Sequence, residues 1–217
     1  VQGLIQRFRN PSIGPEDVAA LFNRGTTRHD LRDQPGAISD YNRVLALKPD
    51  HAVVLNNRGA AQLELNNPDA AEIDFTEALA YNPKLFAAYC NRGWLRLEQH
   101  RYPAAVDDFT EAITLKPHLP MAYVYRGSAL QKLGDLKGAV RDYSDAIACG
   151  EPLALPYCYR SAAYQSQGDR ERAIADLERA SARLAAQGDR HILSSVQRQL
   201  SRLQHQTNLN SSKGCVE

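Results

Sequence analysis

Net charge is almost missing from this chain: 26 Lys and Arg stand against 25 Asp and Glu, leaving +1 over 217 residues. So balanced a chain sets up no strong field for nucleic acid or anionic lipid, and neither is expected as a partner. Long apolar runs are missing too. No stretch approaches the roughly 18 consecutive apolar residues of a membrane helix, so this segment is not expected to insert into a membrane directly. The first residues lack the charged and apolar blocks of a signal peptide. The chain starts at Val1, and any anchor or signal upstream of it would lie outside the sequence. Cysteine is sparse. Cys90, Cys149, Cys158 and Cys215 form no CxxC pair and no disulfide framework, which points to a reduced, cytoplasmic setting. Cys215 stands third from the end, the wrong place for prenylation. Asn210-Ser211-Ser212 is an isolated glycosylation tripeptide in a polar tail.

The apparatus of catalysis is also lacking. His29, His51, His100, His118, His191 and His205 are scattered, and none pairs with Cys, His or Glu at metal-ligand spacing. No glycine-rich phosphate loop follows a strand, and no nucleophile elbow occurs. The expectation is a non-enzymatic protein with no metal and no cofactor.

What the sequence has instead is a period. Gly25, Gly59, Gly93 and Gly127 stand 34 residues apart, and Ser161 continues the series. Ala37, Ala71, Ala105, Ala139 and Ala173 keep the same spacing, as do the bulky residues Tyr41, Phe75, Phe109, Tyr143 and Leu177. Val44, Ala78, Ala112, Ala146 and Ala180 form a fourth series, and proline closes the unit at Pro49, Pro83 and Pro117 before slipping by one to Pro152.

One unit, residues 52–85, shows why. Leu55, Gly59 and Gln62 fall on one helical face, at steps of four and three. Asn66-Asn67-Pro68-Asp69 breaks that helix: Asn tolerates a left-handed turn, and Pro68 suits the first position of a new helix capped by Asn67. Ala71, Phe75 and Ala78 mark the buried face of the second helix, and Pro83 stops it. Small residues are expected where two helices approach closely, with Phe75 filling the space beside them. One such pair cannot bury its apolar face alone, so units must stack.

This pattern resembles the tetratricopeptide repeat (TPR) family, in the style of bacterial members, over about residues 18 to 187. The resemblance implies an all-α, right-handed α-α superhelix (a TPR solenoid) with repeats at 18–51, 52–85, 86–119, 120–153 and 154–187. Residues 1–17, with Val1, Leu4, Ile5 and Phe8, form an N-terminal segment or capping helix. Ile192, Leu193, Val196, Leu200 and Leu203 give residues 188–206 the stripe of a C-terminal capping helix, with a dimer seam as the alternative. Residues 207–217 are polar and expected to be disordered.

A charge pattern repeats as well. Arg24, Arg58, Arg92, Arg126 and Arg160 precede the small residue, and Asp40, Asp74, Asp108, Asp142 and Asp176 precede the bulky one. The family's usual residue at the Arg position is apolar. Two readings apply: a ladder tying helix to helix or unit to unit, for which the planar Arg fork is suited, or an anion-binding stripe.

In the family the first helix of each repeat lines a concave wall. Its columns here read Asn23, Asn57, Asn91, Tyr125, Tyr159; Phe22, Asn56, Cys90, Val124, Cys158; Thr26, Ala60, Trp94, Ser128, Ala162; and Ala19, Val53, Ala87, Met121, Leu155. The candidate partner-binding residues are therefore Asn23, Asn56, Asn57, Asn91, Trp94, Met121, Tyr125, Ser128 and Tyr159. The Asn run resembles the ladder that holds extended peptides in TPR superhelices, since a carboxamide both donates and accepts; solvated or helix-supporting Asn is the other reading. Aromatic pockets near Trp94, Met121, Tyr125 and Tyr159 would add selectivity. The carboxylate clamp of chaperone-binding members needs Lys or Arg in these columns, which have none, while Asp30, Glu64 and Glu98 stand near the rim. Cys90 and Cys158, two repeats apart, are read as small groove liners.

The expected function is a protein–protein interaction module that binds a partner peptide or helix in its groove, as scaffold or assembly factor. The alternatives are a targeting or regulatory domain of a larger enzyme, or an oligomerisation element. Monomer or weak homodimer is the expected state.

Overall fold

A computed structural model describes residues 15–150 and 152–213. The expected N-terminal capping segment, up to residue 14, lies outside them, as do residues 214–217. Among the described residues the chain is all-α. In order the helices are α1 (Pro15–Asp30), α2 (Gln34–Leu47), α3 (Ala52–Glu64), α4 (Pro68–Tyr81), α5 (Phe86–Glu98), α6 (Tyr102–Leu115), α7 (Pro120–Lys132), α8 (Leu136–Ala148), α9 (Leu155–Ser166), α10 (Arg170–Gln187) and α11 (Arg190–Lys213). The odd-numbered helices up to α9 are the first helices of the repeats and are called A helices below; their even-numbered partners are B helices. The chain falls into two compact units, Val1–Leu95 and Arg96–Glu217. In the first, α1 packs on α2, α2 on α3 and α3 on α4; in the second, each helix from α6 to α11 packs on the next.

The turn between the two helices of a repeat has a fixed conformation. Arg32, Asn66, His100, Gly134 and Gly168 recur 34 apart and all take positive φ (66°, 60°, 60°, 86° and 79°). One left-handed residue reverses the chain so that the next helix starts two or three residues later. Glycine does this without strain and Asn with little; Arg32 and His100 show that the repeat imposes the conformation on other residues too. Next in the chain, Asp33, Asp135 and Asp169 cap the B helix by accepting from the amides of Gly36, Gly138 and Arg172 at 2.9–3.0 Å. Asn67 occupies the same place before Pro68 without a side-chain cap bond; its amide donates back to Gln62 at 3.1 Å.

Packing follows the small and bulky series. Tyr41, Phe75, Tyr143 and Leu177 are wholly buried. A Cβ placed on Gly25 would come 2.7 Å from the Tyr41 ring, on Gly59 2.7 Å from Phe75, and on Gly127 2.8 Å from Tyr143. The last repeat carries Leu177 in place of a ring, and there Ser161 is accommodated, fully buried, with its hydroxyl donating to the Ala173 carbonyl at 2.8 Å. Along α11, Val196 and Leu203 are buried and Leu193 and Leu200 half-buried in a cluster with Leu177, Ala180 and Leu184 of α10. The helix runs on to Lys213, beyond residue 206 where the sequence reading ended it, so the expected polar tail begins as helix.

Candidate functional site

The A helices are held by the Arg–Asp series, and the geometry decides between its two readings. Arg24 grips Asp40 through Nε and Nη2 at 2.7 and 2.5 Å, and Arg58 grips Asp74 at 2.8 and 2.5 Å. Arg126 with Asp142, and Arg160 with Asp176, make the same fork at 2.8 Å throughout. These carboxylates are buried. The remaining nitrogen reaches the preceding repeat: Arg58 Nη1 donates to Asn42, Arg92 to Thr76, Arg126 to Thr110 and Arg160 to Ser144, at 2.7–3.2 Å. Arg58, Arg126 and Arg160 are thus three-way ties, each with its charge directed at a buried carboxylate rather than at a ligand. Hydrogen bonds donated to Asp142 and Asp176 push the Arg126 and Arg160 guanidiniums further up from their already high values. Tyr89, Tyr123 and Tyr157, again 34 apart, lie under Arg92, Arg126 and Arg160 at 5.7–5.8 Å, a layer the sequence reading missed although its spacing was visible.

In the first unit the amides are not equivalent. Asn56 is buried, accepts from Asn91 Nδ2 at 2.9 Å and donates to Asn57 Oδ1 at 3.3 Å. Its carboxamide is occupied in joining α3 to α5, the helix-supporting role. Asn57 and Asn91 are half-buried and Asn23 is exposed. Trp94 is 39% exposed. On the rim of this unit, Glu64 is tied to Arg32 at 2.7 Å.

In the second unit, Tyr125 and Tyr159 occupy the same position on α7 and α9. Tyr125 lies against the buried Phe109 ring with centroids 5.7 Å apart, and Tyr159 against Tyr143 at 5.7 Å with planes 25° apart. Both remain partly exposed. Met121 and Tyr159 pack on one cluster around Val124 and Tyr143, and Ser128 is half-buried on the same helix as Tyr125. Burial, then the neighbouring Tyr159, pushes the Tyr125 hydroxyl's pKa up, so the phenol stays neutral at physiological pH. Burial likewise raises the Cys158 thiol, in keeping with a groove liner rather than a reactive thiolate. The structure brings Met121, Tyr125 and Tyr159 together; Trp94 belongs to the other unit.

Two sizeable concavities lie elsewhere, and the sequence did not flag them. One of about 590 Å³ lies between the loop before α9 and the end of α10; another, about 710 Å³, is bordered by Leu136, Val140, Tyr164 and Arg172. Among the described residues no group of three or more His, Cys, Asp or Glu could hold a metal ion, and no helix is long and apolar enough to cross a membrane.

Known proteins were compared with this geometry in hand. The family profile of the tetratricopeptide repeat matches residues 56–120 and 90–154. No curated protein matches the chain by sequence. Similar solved structures include MamA (residues 41 to end) from Desulfovibrio magneticus RS-1, at 15% identity and TM-score 0.73, covering 81% of this chain and 99% of that one. YrrB, titled a TPR protein with an unusual peptide-binding site, is 17% identical with TM-score 0.69, covering 92% and 97%. TTC0263, a thermophilic TPR protein of Thermus thermophilus, is 17% identical with TM-score 0.64, covering 86% and 98%. At such identities the likeness establishes the fold.

Proposed function

The chain is a tetratricopeptide-repeat protein of the all-α superhelical type, and from that premise we propose that it is a non-enzymatic scaffold that binds a segment of a partner protein on the A helices of its second unit, with the A helices of the first offering contacts of their own. The observation that carries this reading is the pair Tyr125 and Tyr159. Both rings pack against buried aromatics, Tyr159 stacked and Tyr125 tilted, yet remain partly open to solvent. Rigid aromatic faces of this kind lose little side-chain entropy on binding and serve well as anchors. Met121 adds an adaptable apolar surface beside Tyr159. On the first unit, Asn23, Asn57 and Asn91 offer carboxamides able to donate to and accept from a peptide backbone, while Trp94 offers a further ring. Asn56 is assigned to holding Asn57 and Asn91 in place rather than to contact. The peptide-binding site named for YrrB adds support by analogy only.

The test is selection of a random peptide library on the intact chain, followed by binding measurements on Tyr125→Ala, Trp94→Ala and Ile73→Ser. Ile73 is an exposed control on α4, a B helix. Selected peptides are expected to bind Tyr125→Ala at least about tenfold more weakly, as a lost aromatic hot spot predicts, and to bind Ile73→Ser unchanged. Equal binding to wild type and Tyr125→Ala would remove the A-helix face as the site.

A further inference from the structure

Two departures from the repeat meet at one place. The proline that closes the unit slips from the expected position to Pro152, and six residues separate α8 from α9 where four separate the corresponding helices of the preceding repeats. In addition α10 has 18 residues, where the other B helices have 13 or 14, and its extra turn, just after Arg183, carries Ala186 and Gln187. The two are joined directly, since Gln187 Nε2 donates to the Pro152 carbonyl at 2.6 Å. Between them opens the recess of about 590 Å³, within the range of built binding sites. Superhelix formation requires neither departure, because the preceding repeats close without them.

The lining combines apolar and cationic side chains. Tyr157 is buried, and Pro152 and Ala186 border the recess. Arg183 lies over the Tyr157 ring at 5.0 Å and donates to its hydroxyl at 3.1 Å, which fixes the guanidinium without neutralising it. One helical turn earlier, Arg179 is largely exposed, and its carboxylate neighbour is Asp176, at 3.6 Å. That carboxylate already accepts both forks of Arg160. Arg179 and Arg183, one turn apart on α10, thus both border the recess, while the carboxylate beside Arg179 is already engaged by Arg160. Arginine so placed favours carboxylate or phosphate groups.

We infer that this recess is a second docking site, and that its occupant is an acidic, apolar-containing segment of a partner protein: carboxylate side chains pair with Arg179 and Arg183, and an adjacent aromatic or aliphatic side chain fills the space against Tyr157 and Ala186. Because the recess is open rather than enclosed, it fits a chain passing across it better than a free small molecule. This site lies on the loop end of α9 and the far end of α10, apart from Tyr125 and Met121 on α7. It goes beyond the A-helix reading and can stand or fall separately.

The experiment titrates the 15N-labelled chain with three probes: a blocked peptide alternating Asp and Phe, the matching Lys–Phe peptide, and glutarate. The Asp–Phe peptide is expected to shift the amides of Ala182, Ala186 and Gln187, with binding that weakens as salt is raised. The Lys–Phe peptide and glutarate should leave those amides in place. Arg179→Glu, an exposed change that leaves the Tyr157 stack intact, should weaken binding roughly tenfold or more, as expected for losing and reversing a charge-assisted contact, with the helical circular dichroism of the chain retained at the titration temperature. Equal shifts with the Lys–Phe peptide, equal affinity for glutarate, shifts confined to α7, or no effect of Arg179→Glu would each overturn the inference.

Discussion

At the residue scale the repeat is a matching of volumes. Gly25, Gly59 and Gly127 sit under rings so close that one added methyl group would stand 2.7–2.8 Å from ring carbon, and the last repeat relaxes the rule on both sides at once, with Ser161 facing Leu177. Glycine within a helix costs about 1 kcal/mol relative to Ala, so Gly59→Ala gains that much in propensity. It also overpacks Phe75, at a cost of roughly 1–3 kcal/mol. Overpacking is expected to win, because Phe75 is completely buried and has nowhere to turn. Gly59→Ala should therefore destabilise the chain by up to about 2 kcal/mol in urea denaturation. In a Phe75→Leu background the same change should be neutral or stabilising, since the last repeat shows Leu tolerating a Cβ. A penalty that stays the same in both backgrounds would mean that the ring contact is not its cause.

At the element scale the Arg–Asp fork sets how the A helix lies on its B helix and on the B helix before it. Removing Arg126 strands a buried Asp142 carboxylate and also releases Thr110 and the Tyr123 ring. Breaking a buried pair from one side costs about 3–5 kcal/mol. Because Arg126 is itself one-fifth exposed, Arg126→Ala is expected near the lower end, about 3 kcal/mol, and Arg126→Lys, which keeps the charge but not the fork, about 2 kcal/mol. Chemical denaturation of both variants checks the order. Acid sensitivity follows from Asp40. Hydrogen bonds from Arg24 hold its carboxyl below the ordinary range; burial opposes this, and the charges of Arg24, Arg28 and Arg43 add to it. The folded pKa being the lower one, the pair's contribution is fully present above the unfolded value of about 3.9. It is lost as pH falls below that value and through the folded pKa. The urea midpoint should be flat from neutral pH to about pH 5 and then drop. Asp40→Asn should lower it at neutral pH and shallow the acid drop; an unchanged acid limb would show that other carboxylates control it.

At the scale of the whole molecule, the 34-residue period alone disclosed the all-α repeat fold, because close helix contacts constrain residue size at fixed positions and such constraints are visible in sequence. It also located the A-helix columns, but could not separate Asn56, which is buried, from Asn57 and Asn91, which are half-buried; all three are Asn, and burial alone distinguishes them. Nor did composition reveal that Arg32 and His100 take the left-handed turn, since the repeat imposes there what the residues do not prefer. The recess by α10 was hidden for the opposite reason, as it is made of departures from the period. The C-terminal stripe was ambiguous in sequence between a cap and a dimer seam, and here the two readings predict different solution behaviour. Val196 and Leu203 are buried on α10, whereas Ile192 is 47% exposed. If the stripe serves chiefly to close the core, Leu203→Ala should cost about 2–3 kcal/mol, the toll of a buried Leu at a partly relaxing site. That loss should be independent of protein concentration, and sedimentation mass should not change. Ile192→Ser should alter neither stability nor mass. A melting temperature that rises with concentration in the wild type and loses that dependence in Ile192→Ser would instead make α11 an association surface, because only a shared interface links stability to concentration.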